Sequence, residues 1–132
     1  MRRRSSDLTR SAGIFAPVNE IVPGKPRRTE NVVRVRTLLA DADDPAKLHE
    51  IEAAIEHFGL KPSIVVETSP GRCHFYWLTD DCPLDRFTEA QKALAAALGT
   101  DPAVCDLPRV ARVPGFFHMK AAPFLVRLVS VS

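Results

Sequence analysis

Long apolar runs are missing from this 132-residue chain, and none approaches the roughly 18–20 residues a bilayer-spanning helix requires. The basic start, Arg2-Arg3-Arg4, has no apolar segment behind it, which excludes a secretory signal. A cytoplasmic setting without membrane attachment is the expectation. Only three cysteines occur, Cys73, Cys82 and Cys105, with neither a CxxC pair nor zinc-like spacing. A disulfide framework and a structural zinc site are therefore excluded, and reduced thiols are expected. Histidines stand at 49, 57, 74 and 118, never two about one hydrophobic residue, and Tyr76 is the single tyrosine. That spacing argues against a nicking replication initiator, which needs paired histidine ligands and a nucleophilic tyrosine.

Charge is present but unevenly placed. Residues 1–37 carry nine Lys/Arg against three acids, a net of +6, so the remainder nets −4. Arg2 to Arg4, Arg10, Lys25, Arg27 and Arg28 form a basic arm with no aromatics interleaved. A solvated tail and attraction to a phosphate backbone both account for it. Residues 1–11 read as a disordered arm, and 12–132 as a single domain with room for one core.

Along that domain, Ile14 to Val18 reads as a short strand and 33–42 as the first long one. Asp44 is an N-cap and Pro45 suits a first helical position. Leu48, Ile51, Ile55 and Phe58 make one apolar stripe, closed by Gly59. Ser63 to Thr68 and Cys73 to Leu78 are strands about the turn Ser69-Pro70-Gly71. A second helix runs from about Leu84 to Leu98, with Leu84, Phe87, Leu94 and Leu98 inward. Arg109 to Val113 and Phe124 to Val129 are the closing strands. The order β-α-β-β-α-β, with extra strands at the ends, predicts an α+β fold like that of the RNA-recognition motif. Its sheet is mostly antiparallel, with two helices on one face and the other face open.

Alternation decides what each face carries. Leu38, Ala40 and Ala42 point one way, and so do Cys73, Phe75 and Trp77. Asp41, Asp43, His74 and Tyr76 then share the opposite face. Two carboxylates aimed at one spot repel unless a cation lies between them. A divalent metal with oxygen ligands is the natural candidate. A turn and helix cap is the plainer account of the aspartates, and a packed or surface ring of the histidine.

Taken together, these residues resemble the RepB-like primase domains of plasmids and phages, in the archaeo-eukaryotic primase superfamily. A hydrophobic strand ending Asp-x-Asp/Glu is matched by Leu38-Leu39-Ala40-Asp41-Ala42-Asp43. A small residue, any residue and His is matched at Arg72-Cys73-His74, where Arg72 departs from the pattern and Ala40 replaces a bulkier residue in the first motif. A hydrophobic residue before Asp is matched by Val104-Cys105-Asp106. The flanks Val18-Asn19-Glu20, Glu30 to Arg36 and Asp106 to Lys120 are also similar, so the resemblance spans about 12–128.

What the resemblance implies is metal-dependent nucleotidyl transfer that makes a primer on single-stranded DNA. Asp41, Asp43 and Asp106 would hold two Mg²⁺ or Mn²⁺ ions, and His74 would contact the triphosphate of a nucleoside triphosphate. Arg109, Arg112 and Lys120 are candidates for phosphate or template contacts. Relatives continue into helical or helicase segments, so a shortened copy working with a separate replicative helicase is one expectation. A catalytically inactive remnant that binds nucleic acid, with Tyr76 as a thin stacking platform, is the alternative.

Overall fold

The computed structural model of the chain describes residues 15–17, 19–103, 105, 110–112, 117–118, 124–125 and 127–131, with side-chain surroundings over 19–103, 105 and 128–131. Alternating apolar residues make β4 (Thr37–Ala42), β5 (Ile64–Ser69) and β6 (Arg72–Leu78) three strands of a four-stranded sheet. It is completed by β10 (Arg127–Val131) in the order β10-β5-β6-β4, every neighbouring pair antiparallel. Smaller pairs surround it: β1 (Phe15–Pro17) with β7 (Val110–Arg112), β2 (Glu20–Ile21) with β3 (Val32–Arg34), and β8 (Phe117–His118) with β9 (Phe124–Leu125). Two helices, α1 (Leu48–His57) and α2 (Phe87–Leu98), complete the expected α+β architecture. Among the described residues no helix is long and apolar enough to cross a membrane.

Both helices pack on one face of the sheet. Ile51 and Ile55 of α1 and Leu98 of α2 meet Ala40, Ala42, Val65, Cys73 and Phe75, with Leu48, Leu94 and Trp77 at the margin. These sheet residues are the set that alternation assigns to the covered side. The start of α1 also follows its sequence. Asp44 Oδ1 accepts a hydrogen bond from the Ala46 N–H at 3.0 Å, and Pro45 opens a 3₁₀ turn, Pro45–Lys47, that leads into the helix.

Four expectations are corrected. The strand over 33–42 is two strands, because Asn19 intrudes at its middle. The buried Asn19 Oδ1 accepts from the Arg36 N–H at 2.9 Å and the Thr37 N–H at 3.4 Å, so the backbone at 36–37 bonds to a side chain and β3 turns away to β2. Leu84 lies in a 3₁₀ turn ahead of α2 and is exposed, and Phe58, at the end of α1, is exposed against the edge of His57. The face opposite the helices is not an open platform, since Leu39, Val66 and Tyr76 are buried there with Ile64 against them. A face bearing three large apolar side chains gains too much from burial to stay wet.

Gln91 is the residue that apolar spacing passes over. It is 2% exposed, and its amide bonds twice to Leu39: Oε1 accepts from the Leu39 N–H at 2.8 Å and Nε2 donates to the Leu39 carbonyl at 3.0 Å. Among the described residues β4 is the outermost strand on its side, and no described strand pairs with these backbone groups. The glutamine amide stands in for one, and α2 is thereby fixed beside the strand that carries Asp41.

Candidate functional site

The register of β4 on β6 pairs Asp41 with His74 and Leu39 with Tyr76. Asp41 Oδ1 lies 3.3 Å from His74 Nε2, and the Tyr76 hydroxyl lies 3.2 Å from His74 Nδ1. The three side chains form one row, running from the buried phenol to the strand ends. Both Asp41 and His74 are mostly covered, at 28% and 16% side-chain exposure, so the row is reached from solvent at its acidic end. Burial, and then the charge of Asp41, push the Tyr76 phenol well above the usual tyrosine range.

Asp43 follows the last residue of β4 and its side chain is 83% exposed. Arg72 reaches it from the first position of β6. Its Nε donates to the Asp43 carbonyl at 2.9 Å and lies 3.7 Å from Asp43 Oδ1, while Nη1 donates to Ser69 Oγ at 3.4 Å. The arginine that breaks the expected small-residue position therefore clamps the turn after Asp41. The hairpin tip is held there by shape as well. Gly71 has a φ of +73°, and a Cβ at that position would stand 2.8 Å from Pro45 Cβ. The tip thus rests directly on the turn that starts α1.

Asp41 and Asp43 open onto a common cleft of about 380 Å³, lined also by Asp44, Lys47, Thr100 and Asp101. Asp101, just past the left-handed Gly99 that ends α2, is not singled out by the sequence; its carboxylate accepts from the Ala103 N–H at 2.9 Å.

The structure thus brings Asp41 and His74 into contact and sets Asp43 on the same cleft. Asp106, Arg109 and Lys120 lie outside the described residues, as does the arm over 1–11. Arg112 is placed by its backbone alone, opposite Phe15 in the β1–β7 pair. Among the described residues no three His, Cys, Asp or Glu side chains stand close enough to hold a metal ion. The shared three-carboxylate site is therefore an expectation whose third member falls outside the description.

A family model, the RepB DNA-primase N-terminal domain, matches residues 22–131. The chain belongs to that family. Solved structures agree with this primase membership at the level of fold. The AEP domain of the cyanophage S-2L primase-polymerase has a TM-score of 0.71 at 22% identity, over 91% of this chain and 63% of its own. The primase RepB′ has a TM-score of 0.62 at 24% identity, over 74% of this chain and 34% of its own. The catalytic domain of RepB′ in complex with initiator DNA gives 0.55 at 24% identity, over 74% of this chain and 50% of its own. The primase-family chain thus spans less than two thirds of each of these structures. A comparison with curated proteins gave no match.

Proposed function

We propose that this primase-family chain catalyses metal-dependent, template-directed nucleotidyl transfer on single-stranded DNA, making primers for plasmid or phage replication, with 12–132 as its catalytic core. The observation that carries the reading is the contact of His74 with Asp41, a residue that lines a carboxylate-rich cleft, on the two strands where the family resemblance places its first two motifs.

The residues present fit an oxygen-ligated divalent cation. Asp41 and Asp43 offer hard carboxylate oxygens on an open cleft with room for water ligands. An imidazole nitrogen facing a carboxylate at 3.3 Å carries a proton and is not a free ligand, which favours Mg²⁺ or Mn²⁺ over softer metals. Asp41, Asp43 and Asp106 would hold two such ions. When bound, they supply acidification of the attacking 3′-hydroxyl and neutralisation of the triphosphate and pyrophosphate.

The protein's own part is positioning. His74 keeps its Nε2–H beside Asp41, from where it donates a hydrogen bond to a triphosphate oxygen. Arg72 holds the turn that orients Asp43. Arg109, Arg112 and Lys120 contribute phosphate or template contacts. The RepB′ neighbour solved with initiator DNA supports DNA as the macromolecular partner. Nucleoside triphosphates as substrates and a replicative helicase as a further partner belong to the proposal itself. Synthesis of labelled primers on a single-stranded template, with and without Mn²⁺, tests the reading. A folded chain that makes no metal-dependent product rejects it.

One observation favours a second reading. The Arg72 guanidinium sits beside Asp43, where it can stand in for a cation. On that account the chain is a silent copy that binds nucleic acid without transfer, although the buried Tyr76 gives it no stacking platform. Mn²⁺ titration followed by nucleotide binding separates the two.

A further inference from the structure

We infer that Tyr76 is a positioning residue that fixes the tautomer of His74, holding Nδ1 as an acceptor and keeping the Nε2 proton towards Asp41. A carboxylate oxygen only accepts, so the 3.3 Å approach of His74 Nε2 to Asp41 Oδ1 puts a proton on Nε2. In a neutral imidazole the other nitrogen then carries a lone pair and can only accept. The group facing that nitrogen is the Tyr76 hydroxyl at 3.2 Å, which has a proton to give.

The backbone holds this arrangement in place. Tyr76 and His74 are two residues apart on β6 and so project from the same face. Tyr76 is buried between Leu39 and Val66, with Ile64 opposite it in the next strand, which leaves its ring little freedom to swing away. The rings of His74 and Tyr76 meet edge-on with centroids 6.2 Å apart, so the hydroxyl meets the ring edge where Nδ1 lies. Were the tautomer reversed, Nε2 would face Asp41 lone pair to lone pair, and the proton would point into the protein. The charge-bearing side of the site would then lose its donor.

The tautomer rests on this geometry alone, whereas its effect on nucleotide binding rests on the function proposed above. Nitrogen NMR of ring-¹⁵N-labelled histidine, on the metal-free chain at about pH 8, where an ordinary imidazole is neutral, reads the tautomer directly. The His74 signals are assigned by their loss in His74→Gln. The expected result is a protonated Nε2 and an unprotonated Nδ1 in the native chain, with the second tautomer populated in Tyr76→Phe. A protonated Nδ1 in the native chain overturns the inference without any variant, and so does a folded Tyr76→Phe whose His74 signals are unchanged.

In primer synthesis, Tyr76→Phe is expected to raise the nucleotide KM about fivefold, the worth of one neutral hydrogen bond, with kcat little changed. An unaltered KM overturns the inference as well. If the native chain makes no primer, the proposed function fails, and the nitrogen spectrum still decides the role of Tyr76.

Discussion

Replacing Gln91 by methionine keeps the length and most of the volume of the side chain and removes only its amide. In the native chain that amide satisfies both polar groups of the Leu39 backbone at a position 2% exposed to solvent. Each buried backbone group left without a partner costs about 1–3 kcal/mol, so the loss of both amounts to about 2–6 kcal/mol. That is a large part of the roughly 5–15 kcal/mol by which domains of this size are stable. With a urea dependence of about 1.5 kcal/mol per molar, the unfolding midpoint falls by about 1.3–4 M. Hydrogen exchange gives a second, local readout, since the Leu39 amide loses its protection in the variant while those bonded between β5 and β6 keep theirs. Asp41 lies two residues further along β4, so the loosened edge also displaces the carboxylate that meets His74. A midpoint shift below about 0.5 M with an unchanged slope would refute the reasoning, because Leu39 would then have found another partner at no cost.

Asp43→Asn is expected to leave urea stability within about 0.5 kcal/mol, because the side chain is mostly exposed, and to lower metal-dependent transfer about a hundredfold or more. Retained transfer would remove Asp43 from the ligand set. Gly71→Ala forces a side chain onto a left-handed backbone and against Pro45 at 2.8 Å; the cost is about 1–3 kcal/mol, seen as a fall in Tm of about 5–10 °C. Tyr76 is the only tyrosine, so an alkaline absorbance titration reports it alone. Its folded-state pKa is raised, so the stability it contributes is whole below the unfolded value of about 10 and is lost as pH climbs through the folded value. Phenolate should therefore appear only together with unfolding, and Asp41→Asn should lower the pH at which it does. Reversible ionisation near pH 10 with an intact circular dichroism spectrum would contradict the buried placement.

The faces of β4 and β6 are legible in the sequence because period-two alternation is local and both strands are regular. Asp41 and His74 could be placed on one side from spacing alone, and the register then set them opposite one another. Features that depend on distant partners are not legible in that way. The break before Thr37 interrupts a good β-run and is caused by Asn19, 17 residues earlier than Arg36. Gln91 looks like a surface residue of an amphipathic helix until the edge of β4, 52 residues away in sequence, is laid beside it. Leu84 and Phe58 fit their helical stripes and still fall outside the core, since each sits just outside the regular helix, Leu84 in the 3₁₀ turn before α2 and Phe58 at the cap of α1. Arg72 reads as a lapse from a pattern of small residues. Its use emerges only when the hairpin brings it to the turn after β4, and no property of its own neighbours announces that.

The amide of Gln91 also settles in which direction this sheet can grow. A further strand added next to β4 would need the same Leu39 groups that the side chain already occupies. Lateral extension, whether by a second copy or by an added polypeptide segment, is turned to the opposite rim, where β10 carries the half-exposed Leu128, Val129 and Val131. One polar side chain in a helix thereby gives the sheet a closed border beside its acidic cleft, and keeps that approach clear for whatever the cleft receives.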